Sequence, residues 1–132
     1  MMTPAAMTEF LTKRIPELIA IYQFGSQARG DASRSSDIDL AVLARAPISA
    51  ETLFQIAQDL AIQLHRDVDL LDLRAASTVM RAQVIATGQC LDSKDEPARA
   101  EFEMYAYSDY ARLNEERRDI LRDIKERGLI YG

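Results

Sequence analysis

The sequence predicts an α/β (α+β) fold, a mixed sheet flanked by helices and followed by a long C-terminal helical segment. Three observations carry this. Stretches with the alternation of strands interleave with stretches whose apolar residues recur every three or four positions. The last quarter of the chain reads as helix throughout. Finally, 132 residues with 48% apolar and 28% charged side chains suit one globular core, with little left for a second.

Taken in order, Thr8–Arg14 reads as a short helix with Phe10 and Leu11 as its apolar contacts and Pro16 beyond its end. Leu18–Phe24 is a β-rich run that stops at Gly25, as a buried strand entering a turn does. Asp31–Ser36 is a polar loop of small residues. Asp37–Ala44 alternates Ile38, Leu40 and Val42 with Asp37, Asp39 and Ala41, which is a strand with two unlike faces. From Ser49 to His65 the spacing of Leu53, Ile56, Leu60 and Leu64 is helical, and Ser49 and Thr52 offer capping hydroxyls. Asp67–Leu73 returns to strand, expected beside the Asp37 strand in the sheet. Ala76–Thr87 reads as a helix stopped by Gly88, and Gln89–Asp92 as a short edge strand. Pro97–Arg127 is helical, with Phe102, Tyr105, Ala106, Leu113, Ile120, Leu121 and Ile124 on or near one face. Unbroken, it would be about 45 Å long at 1.5 Å per residue. So small a core cannot cover that length, so the helix is expected to bend, pack on a second copy or meet a partner. The expected division is 1–96 as a catalytic domain and 97–132 as a helical extension.

Composition narrows the function classes. No apolar run is long enough to span a bilayer, and Met1–Phe10 lacks the pattern of a signal peptide. A single cysteine, Cys90, fits a reducing compartment, so the cytoplasm is expected. With 21 acidic and 16 basic residues the net charge is −5, which disfavours a grip on long nucleic acid. Basic residues do gather locally, at Arg29 and Arg34 and along Arg112–Arg127. Cys90 reads as a small core residue, and His65 as a helix end at the surface.

The chemistry lies in Gly25-Ser26 and, ten residues later, Asp37-Ile38-Asp39. On a strand, residues i and i+2 share a face about 6.6 Å apart. Carboxylates held there repel one another unless a cation lies between them. One divalent metal, or two roughly 3.5–4 Å apart, relieves that repulsion. Mg²⁺ favours a few carboxylates together with phosphate oxygens. Gly25 lets the backbone turn closely around a ligand, and the Ser26 hydroxyl with the N–H groups of a following helical turn over Gln27–Gly30 would face phosphate oxygens. Arg29 adds a charge-assisted contact. A third acid, needed for a second metal and for deprotonating an acceptor, comes from Asp67, Asp69 or Asp72. Asp69 is preferred, being flanked by Val68 and Leu70. Asp67 shares its face nearer the strand's start, whereas Asp72 points to the opposite face.

The run from Gly25 to Leu40 resembles the signature of the DNA polymerase β-like nucleotidyltransferase superfamily: Gly-Ser, ten residues, Asp-x-Asp. Val68-Asp69-Leu70 resembles its third-carboxylate strand. Within the superfamily the chain looks like the minimal nucleotidyltransferases, the MntA-type antitoxins of HEPN–MNT toxin–antitoxin pairs. The resemblance implies AMP transfer from Mg-ATP to a tyrosine hydroxyl of a cognate HEPN ribonuclease toxin, silencing it. It implies that Asp37, Asp39 and Asp69 bind metal, two Mg²⁺ ions with Mn²⁺ as the substitute. It further implies that Asp69 is the base and that Gly25 and Ser26 hold the β- and γ-phosphates, with Arg29 and Gly30 fitting the loop. Two alternatives stand beside this: the same chemistry on a small hydroxylated molecule such as an antibiotic, and a non-catalytic antitoxin acting by occlusion. Homodimer and hetero-oligomer with a toxin are both expected forms.

Overall fold

A computed structural model of the chain describes residues 3–25 and 37–126. Its elements are α1 (Pro4–Arg14), β1 (Leu18–Phe24), β2 (Ile38–Ala44), α2 (Ala50–Leu64), β3 (Val68–Asp72), α3 (Thr78–Thr87), β4 (Gln89–Ser93) and α4 (Glu96–Glu126). The four strands form one sheet in the order β3-β2-β1-β4. β2 and β3 are parallel and joined through α2, while β1 runs antiparallel to both β2 and β4. The sheet is therefore mixed, and the Asp37 and Asp67 segments are neighbours, as expected.

The starts of α1, α2 and α3 have a local chemical cause. Thr3, Ser49 and Ser77 accept the backbone N–H of Ala6, Thr52 and Met80, satisfying donors that a helix's first turn leaves open. Helix α1 starts four residues earlier than expected, because Thr3 caps it and Pro4 at its first position is preset for helical φ. That extension buries Met7 beside Leu11 and leaves Phe10 half-buried. His65 ends α2 in the left-handed conformation (φ 55°) and is exposed, the surface helix end expected of it.

Two apolar layers cover the sheet. On one face Ile21, Ile38, Leu40, Val42 and Leu70 pack with Leu11 of α1 and Ile56, Leu60 and Leu64 of α2. On the other, Ile19, Tyr22, Ala41, Leu43 and Leu73 pack with Val84 of α3 and Phe102 of α4. Cys90 is half-buried at the edge of this second layer rather than within it.

α4 spans 31 residues, about 46 Å at 1.5 Å per residue. Only Phe102 and Ala106 along it are buried. Tyr105, Ile120, Leu121 and Ile124, expected on or near its apolar face, are exposed. The core ends at the helix's fourth turn and the apolar stripe continues past it.

Candidate active site

β2 and β3 lie in parallel register with Asp39 opposite Asp69 and Ile38 opposite Val68. The two acids therefore stand side by side on neighbouring strands, whose backbones are about 4.8 Å apart. Alternation fixes which way they point. Ile38, Leu40, Val68 and Leu70 enter the layer beneath α1 and α2, so Asp39 and Asp69 project from the opposite face, the one carrying Ala41, Leu43 and Leu71. Asp37 precedes β2 by one residue and shares the parity of Asp39. Asp37 and Asp69 are exposed and Asp39 is half-buried.

β1 delivers the glycine to the same place. Phe24 pairs with Asp39 across the antiparallel ladder, so Gly25 emerges beside the start of β2. It has φ 73°, a conformation that penalises any side chain. A methyl group built on it would strike the Asp39 carboxylate, lying 3.1 Å from the carboxyl carbon. Both its backbone angle and its missing side chain are thus used: the turn leaves a cradle over Asp39. Ser26, Arg29, Gly30 and the expected Asp31–Ser36 loop lie outside the described residues.

Among the described residues no three His, Cys, Asp or Glu side chains converge into a set that would hold a metal unaided. Acidic residues spread over neighbouring strands suit Mg²⁺, which draws several of its oxygens from phosphate and water. The donors present are all hard oxygens, which fits Mg²⁺ or Mn²⁺ better than a softer metal.

The other two acids of β3 and its approach differ. Asp67 is exposed one residue before the strand, and its carbonyl accepts the N–H of Ile38, tying the starts of β2 and β3 together. Asp72 is buried at 3% exposure. Its carboxylate accepts the backbone N–H groups of Ile48 (2.9 Å) and Arg74 (3.0 Å), so it fastens the β2–α2 connection to the end of β3.

Sequence reasoning missed a cluster at the far ends of the strands. Arg45, Arg74, Arg81 and Phe102 line one cleft there. Separations of tens of residues hide such a gathering from any local pattern.

The family model described as polymerase beta nucleotidyltransferase matches residues 6–97. The chain is 40% identical over 116 residues to the protein adenylyltransferase MntA of Shewanella oneidensis, covering 88% of this chain and 83% of that one. It is also similar to a chain from the crystal structure of a toxin–antitoxin with AMP-PNP, at a TM-score of 0.83 and 38% identity, covering 94% of this chain and 99% of the other. A further similar structure is a tri-AMPylated Shewanella oneidensis HEPN toxin in complex with MNT antitoxin. There the TM-score is 0.77 and identity 36%, over 92% of this chain and 95% of the match. Among the described residues no helix is long and apolar enough to cross a membrane.

Proposed function

The chain belongs to the polymerase beta nucleotidyltransferase family, and from that premise we propose that it is an antitoxin that transfers AMP from ATP to a tyrosine hydroxyl of a cognate HEPN toxin. The observation that carries the reading is the register of Asp39 against Asp69 beneath the Gly25 turn. The likeness to an adenylyltransferase and to toxin–antitoxin complexes supports the acceptor.

In this reading the tyrosine oxygen attacks the α-phosphorus, a new O–P bond forms, the bond from the α-phosphorus to the bridging oxygen breaks, and pyrophosphate leaves. Asp69 takes the tyrosine proton and passes it to water, a role that suits an exposed carboxylate at the strand edge. Asp37, Asp39 and Asp69 hold divalent metal, Mg²⁺ in the first place and Mn²⁺ as its substitute. Bound there, the metal supplies neutralisation of triphosphate charge and polarises the reacting oxygens. Gly25 and Ser26 hold the β- and γ-phosphates and Arg29 adds a cation, the glycine because its bare backbone admits phosphate next to Asp39. Residues 1–96 form the catalytic unit. From 97 onward the helical extension packs its first turns on that unit through Phe102 and Ala106, and it presents Ile120, Leu121 and Ile124 to the toxin. The site of action is the cytoplasm, where ATP and an intracellular ribonuclease meet.

The test is the intact mass of the adjacent gene's product after incubation with the chain and Mg-ATP, run beside a variant carrying Asp37→Asn and Asp39→Asn. AMP-sized increments on a tyrosine, absent with the variant, are the expected result. A partner neutralised equally by both forms and never modified would replace catalysis with occlusion.

A further inference from the structure

The cleft at the opposite ends of the strands from the acids has the composition of a ligand site. Ile19 is the second residue of β1, Arg45 follows β2 and Arg74 lies two residues past β3, so the cleft lies about 20 Å from Asp39 at 3.3 Å per strand residue. Its volume is about 370 Å³, within the range of small-molecule sites. Ile19, Ala98, Phe102 and Ala106 supply apolar lining, and Arg45, Arg74 and Arg81 bring three guanidinium groups to it.

Two of those cations are held rigid and form no ion pair among the described residues. The Arg74 Nε donates to the Ala44 carbonyl (2.8 Å). The Arg81 Nε and Nη2 donate to the carbonyls of Leu73 (2.7 Å) and Arg74 (2.5 Å). Both guanidiniums also lie over the Phe102 ring, 5.3 and 5.5 Å from its centre. Among the described residues neither forms an ion pair, whereas Arg45 is paired with Asp95. Both terminal nitrogens of Arg74 and the Nη1 of Arg81 have no acceptor among the described residues. A structural pin needs only the carbonyl contacts. It does not need two neighbouring positive charges, which repel one another in a half-buried setting.

We propose that this cleft is a second ligand site, taking a nucleoside phosphate. The phosphate sits on the open donors of Arg74 and Arg81, whose planar forks match its oxygens. Tyr105, 57% exposed at the rim, offers a ring on which a base can stack, and the Glu101 carboxylate accepts a ribose hydroxyl or an exocyclic amine. This inference is independent of the catalytic reading, because it uses none of Gly25, Asp37, Asp39 or Asp69.

Photolabelling of the full chain with 8-azido-AMP in EDTA tests it, since removing divalent metal weakens nucleotide binding at the metal-dependent acids. The expected label falls on the Tyr105 peptide, is competed by AMP far better than by inorganic phosphate, and drops about tenfold or more in Arg74→Gln and in Arg81→Gln. If either arginine variant fails to fold, equilibrium dialysis of AMP against Tyr105→Ala in EDTA, a change at an exposed position, gives a readout that does not depend on the labelled residue, and binding should weaken. Arg112→Gln, farther along α4, should label like the parent. Label confined to the Gly25–Asp39 region, or label on the Tyr105 peptide that survives both Arg74→Gln and Arg81→Gln, overturns the site, as does unchanged AMP binding by Tyr105→Ala. Equal competition by inorganic phosphate overturns its nucleoside part.

Discussion

Asp72 is buried and accepts two backbone N–H groups, whereas Asp69, three residues earlier on the same strand, stands exposed beside Asp39. The strand places them on opposite faces, because their separation is odd. The buried acid spends its lone pairs on the protein's own backbone and belongs to the fold. The exposed one stands next to a second carboxylate at the end of the sheet where Gly25 turns, an arrangement that favours a cation and does little for stability. Residue type and strand are shared, and hydrogen-bond partners decide the role.

The contrast can be broken most sharply at Asp69 itself. Asp69→Asn should lower AMP transfer by about 10²–10⁴-fold, the usual worth of a positioned base, with an unchanged melting temperature. A loss of stability equal to that of an Asp72 variant would erase the distinction. Gly25→Ala comes next. The added methyl meets the Asp39 carboxylate and the left-handed backbone resists it, so transfer should fall by about a hundredfold through misplacement of the acid. Asp72→Ala should show the reverse pattern. Two backbone donors lose their acceptor, at a cost of about 2 kcal/mol in denaturant unfolding, while transfer per folded molecule stays at the parent level.

The smallest effect tests the same logic with a different group. The Tyr22 hydroxyl donates to Glu103 (2.7 Å), joining β1 to α4. Burial, and then the Glu103 hydrogen bond, push its pKa well above the ordinary value of about 10. A raised folded-state pKa means that the tyrosine's contribution is complete below pH of about 10 and is lost as pH rises beyond it. Tyr22→Phe should cost about 1 kcal/mol at neutral pH and flatten part of the alkaline decline in stability, read from unfolding curves across pH.

Most elements were legible because the cues are local. A β-rich run stopping at Gly25 marked Leu18–Phe24 to the residue, and the spacing of Ile56, Leu60 and Leu64 with Ser49 at the start marked α2 to within one residue at each end. The helix expected from Thr8 starts earlier because Thr3 caps it and Pro4 suits its first position. Gly25, Ser26, Asp37 and Asp39 were legible as a motif. Asp69 was singled out from three acids by its apolar neighbours, and Asp72 was assigned the other face by parity alone.

Sequence by itself determined the element types, the family motif and the face on which each strand residue lies, since those follow from periods of two and 3.6 and from residue chemistry at short range. Tertiary structure alone decided that Asp39 meets Asp69 and not Asp67, because register between strands is settled by packing beneath α1 and α2. It also decided where α4 leaves the core, and it brought Arg45, Arg74, Arg81 and Phe102 around one cleft. Contacts across 30 or 50 residues depend on how both faces of the sheet are covered, and no local run of residues carries that information.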